Sequence, residues 1–227
     1  MCLLAVAGCT LFTSLGFWQW HRGQYRQGLW AQFEADASVQ REISDSAQLA
    51  GAARYARIRV TGRLDGAHQL LLDNRSREGR PGYELLTPLI LPDGAVLLVN
   101  RGWLPFTGYR DRLPDVGLPE NPAQALTGRL DQLPVAGLAA GRVPPPAAGP
   151  WPRLTSFPTA ADLSQVLGRR VPNQVLLLDA DSGPGFERHW LPPGVEPARN
   201  YSYAIQWWAF AALTLGLFLF LNLEKRR

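Results

Sequence analysis

Cysteine is nearly absent from this 227-residue chain: Cys2 and Cys9 are the only two, and nothing beyond residue 9 can form a disulfide or a C-x-x-C site. That excludes a disulfide-stapled scaffold, and a domain without cysteine suits an oxidising compartment. Cys2 and Cys9 lie seven residues apart on one helix face, so they stand about 10.5 Å apart along the axis. Two thiolates on one metal must be within roughly 4–5 Å of each other. The pair therefore reads as small apolar residues, and no metal site is expected.

Catalytic signatures are missing too. The chain has no G-x-S-x-G elbow, no H-E-x-x-H and no phosphate-binding glycine loop. Of three histidines, His68 and His189 are the best candidate bases for a hydrolase, but no motif supports a triad around either. The expectation is a protein that is not an enzyme. One-signed charge is also lacking: residues 22–199 hold 20 arginines against 18 carboxylates, which offers no basic face for nucleic acid.

Charge disappears altogether from two stretches. Residues 203–223 form a neutral, largely apolar run that stops at Glu224-Lys225-Arg226-Arg227, and residues 1–20 form a second that closes on Trp18 and Trp20 before His21 and Arg22. In helical form 21 residues reach about 31 Å, enough for a hydrocarbon core of ~30 Å. A basic flank at one end and Tyr201, Tyr203, Trp207 and Trp208 at the other orient the second span with its tail in the cytoplasm. Two spans then place both termini in the cytoplasm and residues of roughly 22–199 outside. Val6-Ala7-Gly8-Cys9 resembles a lipoprotein cleavage box, but nothing basic precedes it and the apolar run continues past it. No Arg- and Ser-rich transit segment is present, so the expected location is a bacterial inner membrane.

The expected organisation is a first span over 1–20, a juxtamembrane helix and linker over 21–50, an extracytoplasmic β-rich domain over 51–200, a second span over 201–223, and a basic tail over 224–227. Within this frame, Tyr25, Leu29 and Phe33 recur at four-residue steps and predict a short helix over 21–37. From Ala56 the period changes to two, with Ile58 and Val60 alternating with Arg57, Arg59 and Thr61, which predicts a half-buried strand. Tyr83–Leu91 and Ala95–Trp103, joined by Pro92-Asp93-Gly94, predict a β-hairpin. Thr61-Gly62-Arg63-Leu64-Asp65 recurs as residues 127–131 and predicts two equivalent strand-to-turn corners, a recurrent local geometry rather than a duplication. Residues 134–158, with three consecutive prolines at 144–146, predict coil. Thr159 to Asp162 reads as a helix start, Gly168 as its end, and Gln174–Leu178 as a strand. The fold class is thus a membrane protein with N- and C-terminal transmembrane helices flanking a mainly antiparallel, barrel-like β domain with short helices.

Two residues admit alternative readings. His21 stands at the same expected depth as Asn200 and Tyr203, and is either an interfacial histidine or an axial ligand for haem iron. Arg101, between two apolar stretches, is either a structural ion-pair partner or a functional group.

Four blocks, taken together and in order, carry a resemblance: Leu15-Gly16-Phe17-Trp18-Gln19 with Arg22; Gly82-Tyr83 leading to Thr87-Pro88-Leu89; Val99-Asn100-Arg101-Gly102-Trp103-Leu104-Pro105; and Tyr203-Ala204-Ile205-Gln206-Trp207. The chain resembles the SURF1 family of cytochrome c oxidase assembly factors. The resemblance implies a two-pass inner-membrane chaperone that assists insertion of haem a into subunit I of haem-copper oxidases, with subunit I and the haem a synthesis machinery as partners and haem a as a transient cofactor. It also implies a haem-binding histidine three residues before Tyr203, and this chain has Asn200 there. Carboxamide is a poor iron ligand beside imidazole. Three options remain open: His21 substitutes, a histidine of the partner ligates, or the protein stabilises an intermediate without holding haem. The implied docking residues are Arg101 and Trp103. A two-pass sensor or scaffold binding an extracytoplasmic protein is the alternative function.

Overall fold

The computed structural model describes residues 2–35, 40–109, 112–118, 122–137, 141–192 and 194–224. In chain order the elements are α1 (Cys2–Ala35), β1 (Gln40–Ile43), α2 (Ser46–Ala50), β2 (Arg57–Leu64), β3 (Leu70–Arg77), β4 (Arg80–Ile90), β5 (Val96–Pro105), β6 (Gln124–Gln132), β7 (Arg153–Thr155), α3 (Ala160–Leu167), β8 (Gln174–Leu178) and α4 (Pro197–Glu224). They form two compact units: Asp36–Trp190, and Met1–Ala35 together with Leu191–Arg227.

The first unit is a mainly antiparallel sheet closed into a barrel. Its ring runs β2–β6–β8–β5–β4 and closes where β2 pairs back onto β4, at Arg63↔Ile90 and Leu64↔Leu89. Strand β1 adds in parallel to β2, β3 adds to β4, and β7 adds in parallel to β3. The period-two reading of β2 holds: Ile58, Val60 and Leu64 are buried, while Arg59, Thr61 and Arg63 face out.

The hairpin of β4 and β5 turns at Pro92-Asp93-Gly94, with Gly94 at φ +82 and its N–H donating to Leu91 O at 2.9 Å. Its apolar runs are continuous rather than alternating because both faces of β5 are covered. Leu97 and Val99 join Ile58, Val60, Leu126 and Leu176 in one cluster. Val96 and Leu98 join Leu163 of α3, Val171 and Leu177 in another. Helix α3 begins as the sequence predicts, with Thr159 and Asp162 forming a capping box and Gly168 ending it in the left-handed conformation. Strand β8 matches its predicted range.

Four expectations change. The helix expected over 21–37 is not separate: α1 continues unbroken through Gly23 and Gly28 to Ala35. Residues 40–50, expected as linker, supply β1 and α2 to the barrel unit. The repeated five residues are not equivalent corners, because Thr61–Leu64 ends β2 whereas Thr127–Leu130 lies inside β6. What they share is the glycine: a Cβ on Gly62 would sit 2.7 Å from Ile90 O, and one on Gly128 would overlap Leu177 O. Each lets a neighbouring strand approach closely. Finally, the Pro-rich coil contains β7. Arg153, its first residue, donates to the carbonyls of Pro146, Ala147 and Gly149 and lies 4.1 Å over the Trp151 ring, which folds the coil around one guanidinium.

In the second unit, α1 and α4 are the two described helices long and apolar enough to cross a membrane. Only 6% and 11% of their apolar windows are buried, so neither is the core helix of a soluble protein. Of the basic tail, Lys225, Arg226 and Arg227 lie outside the described residues.

Candidate functional site

The quoted sequence blocks fall into both units. In the barrel unit they build one structure, the seat of the segment 182–190. Asn100 is buried, donates from Nδ2 to Glu84 Oε2 at 2.8 Å, and accepts from the Gly102 N–H at 3.2 Å. Gly102 has φ +116, and a Cβ there would sit 2.8 Å from Glu187 O. Only glycine allows the strand and the segment this close. The backbones then pair: Phe186 N donates to Arg101 O, Trp103 N to Glu187 O, and Glu187 N to Trp103 O.

Arg101 is 3% exposed. The expected ion pair is not what holds it. Among the described residues its recorded partners are neutral: Nε donates to Pro184 O at 2.9 Å and Nη1 to Gln69 Oε1 at 2.9 Å, with the Phe186 ring 5.7 Å away. Desolvation, with a further push from nearby Arg188, pulls its pKa down to about 10, so it stays charged near neutrality. Gln69 completes the network: Nε2 donates to Gly66 O and Val116 O, while Oε1 also accepts from the Thr87 hydroxyl. Sequence reasoning missed Gln69, whose only signal was a polar residue beginning an otherwise apolar Gln-Leu-Leu-Leu run.

Two further arginines hold the same segment. Arg188 donates from Nη1 to Asp179 O and Ser182 O at 2.6 Å each, and Arg77 reaches Glu187 O and His189 O at 3.1 Å. Burial lowers the Arg188 pKa, against the pull of Asp181 and Asp179. Trp103 is buried under the Arg77 and Arg80 guanidiniums and donates from its indole to Arg75 O at 2.8 Å.

The other blocks shape this seat. A Cβ on Gly82 would overlap the Trp103 indole and Leu104 O. Tyr83 is buried edge-on to Phe106. Pro88 falls where β4 changes partner, after its pairs with β3 end at Leu86 and before those with β2 begin at Leu89. A residue without an N–H is tolerated at such a gap, and Pro88 O accepts from Asp65 N at 2.7 Å. His68 pairs with Asp65 at 2.8 Å and meets Trp151 edge-on. His189 belongs to the 182–190 segment. Among the described residues, no Ser, Thr or Cys side chain hydrogen-bonds to either imidazole.

In the helix unit the first and last blocks interlock as an antiparallel pair. Asn200 Nδ2 donates to Gln19 Oε1 at 2.8 Å, and Tyr201 Oη to Gln27 Oε1 at 2.8 Å. Gly16 and Gly23, seven residues apart, receive Trp208 and Tyr201, also seven apart: a Cβ on Gly16 would overlap the Trp208 indole, and one on Gly23 would sit 2.6 Å from the Tyr201 ring. Trp207 stacks on Phe12 at 5.8 Å, and Trp20 packs against Tyr201 and Trp208. Trp18, His21, Arg22, Tyr203 and Gln206 are exposed.

These residues do not fit an axial haem site. His21 follows Gln19 by about 200° of helix rotation, which turns it from the Asn200 face, and its Nδ1 lies 3.3 Å from Gln24 Oε1. The Asn200 amide is engaged, and the tryptophans are divided between the helix contact and the outer surface rather than forming one cradle. No group of three His, Cys, Asp or Glu side chains positioned for a metal occurs among the described residues.

A closed β-barrel domain flanked in the chain by two membrane-compatible helices defines the class. The SURF1 family model matches residues 6–212, and the chain belongs to the SURF1 family. A SURF1-like protein of Monosiga brevicollis is 28% identical over 92% of this chain and 82% of its own length. An uncharacterized SURF1-like protein of Mycobacterium bovis is 28% identical over 77% of this chain, and the match spans 64% of that protein. A SURF1-like protein of Rickettsia felis is 30% identical over 44% of this chain and 45% of its own length.

Proposed function

We propose that this protein is a non-enzymatic assembly factor for a haem-copper cytochrome c oxidase, anchored in a bacterial inner membrane with its barrel outside. It stabilises an intermediate of subunit I while haem a is inserted. The axial ligand comes from the partner, because Asn200 is committed to Gln19 and His21 faces away. The observation that carries the reading is membership of the SURF1 family over residues 6–212. The site's chemistry agrees with it. Asn100, Arg101, Gly102 and Trp103 are spent on holding a main-chain segment, which suits a binding surface. Arg77 and Arg80, seated over the buried Trp103, form the docking surface for the client together with the 182–190 segment.

The test is a reduced-minus-oxidised spectrum of membranes from a deletion strain whose only aa3-type oxidase is known to be expressed. Selective loss of the haem a signal, with haems b and c unchanged and restoration by the cloned gene, is expected. An unchanged spectrum in a strain without a second homologue would instead assign the chain as a two-pass sensor or scaffold.

A further inference from the structure

Away from Arg101 and its segment, the barrel unit contains a cavity of about 320 Å³, inside the size range of small-ligand sites. Three elements line it: α2, the Gly94–Val96 stretch that leads into β5, and the Arg169–Gln174 connection between α3 and β8. Its floor is apolar, with Leu49 and Val96 each 2% exposed and Ala47, Ala50 and Ala95 around them.

The polar groups are one-sided in charge. Arg169 and Arg170 line the cavity, both exposed, and neither has a carboxylate partner among the described residues. The one recorded contact is a weak one, Arg169 Nη1 to Gly94 O at 3.5 Å. The acids that adjoin lining residues are already engaged: Asp93 accepts from the Ser46 N–H at 2.8 Å and the Ala95 N–H at 3.0 Å, and Asp45 accepts from the Gln48 N–H at 2.8 Å. Gln174, also lining the cavity, donates to Leu49 O and is likewise engaged. An apolar hollow bordered by two guanidiniums without a carboxylate partner suits a ligand with a compact apolar body and one carboxylate. Guanidinium binds carboxylate through short, charge-assisted hydrogen bonds, bidentate where geometry allows.

We infer that this cavity binds a carboxylate carried on a short branched apolar group. Two sources share that chemistry: the free C-terminus of a polypeptide ending in an aliphatic residue, and a small branched carboxylic acid. The inference is independent of the oxidase reading.

The full chain in detergent micelles is titrated with N-acetyl-leucine, N-acetyl-leucinamide and 4-methylpentanoate, followed by calorimetry and saturation-transfer NMR against empty micelles. Saturable binding of N-acetyl-leucine is expected, with the neutral amide on the order of tenfold weaker. Equal binding of 4-methylpentanoate assigns a free acid, and its failure assigns a peptide end. The double variant Arg169→Gln/Arg170→Gln loses at least as much affinity as the amide does, and Ala50→Trp, which fills the chamber, abolishes binding; both keep the wild-type melting temperature. The site is refuted if neither acid saturates, or if binding survives in the arginine double variant.

Discussion

Arg101 donates from Nε to the main-chain oxygen of Pro184 at 2.9 Å, joining the middle of β5 to the segment that leaves β8. The same guanidinium reaches Gln69 at the start of β3, so one side chain ties together three parts of the barrel that are distant in sequence. Being buried without a carboxylate, it acts through geometry: Nε points to one carbonyl and Nη1 to one carboxamide oxygen.

Replacing Arg101 with Met leaves Pro184 O without this donor and Gln69 Oε1 with one donor instead of two. The expected loss is about 2–3 kcal/mol of domain stability, since unsatisfied buried groups cost roughly 1–3 kcal/mol each and the apolar replacement removes a desolvated charge in return. Limited proteolysis of the full chain should then cut within 182–190 faster than in the wild type. A variant with unchanged cleavage and melting would show that the backbone pairs to Trp103 hold the segment alone.

Gly102→Ala tests the close approach. At φ +116 an L side chain is strained by about 1–3 kcal/mol, and its Cβ also meets Glu187 O at 2.8 Å. The expected outcome is a destabilisation larger than that of Gly94→Ala, which shares a positive φ but has open space for a Cβ. Denaturant midpoints of the two variants make the comparison; equal losses would remove the contact from the account and leave backbone strain alone.

Asn200→Leu removes the amide that meets Gln19. Interhelical hydrogen bonds of this kind are worth about 0.6–1.7 kcal/mol in membranes, so a loss in that range is expected when the full chain is unfolded in mixed micelles. Gly16→Leu should cost more, because Trp208 must leave its socket. A smaller effect at Gly16 than at Asn200 would mean that polar bonding, not packing, holds α1 to α4.

Asp93 supplies a pH test. Its carboxylate accepts from the Ser46 and Ala95 N–H groups, which hold its pKa below the usual 3.8. A depressed acid stabilises the fold above its unfolded pKa and loses that contribution as pH falls through the folded value. Wild type should therefore melt above Asp93→Asn by a constant margin from pH 5 to 8, and the margin should close below about pH 4. A margin unchanged down to pH 2 would show that the neutral carboxyl holds α2 equally well.

Period and punctuation in the sequence determined a good deal: both apolar helices, the alternation of β2, the hairpin around Pro92-Asp93-Gly94, the capping box at Thr159 and the range of β8. All of these depend on residues within a few positions of one another, where propensity and patterning act. The four family blocks were legible as well, and with them Asn100, Arg101, Gly102 and Trp103 of the seat.

Tertiary structure alone decided what those residues do. Pro88 makes sense only because β4 changes partner there, and Gly62, Gly82 and Gly128 because another strand or an indole arrives from far along the chain. Gln69 was invisible beforehand, since its four hydrogen-bond partners lie at residues 66, 87, 101 and 116. The face of a helix is set by its partner, and so Asn200 against Gln19, with His21 turned away, could be read only once α1 and α4 were packed. Local sequence sets the period of an element; which buried group meets which is settled by closure of the barrel and pairing of the helices.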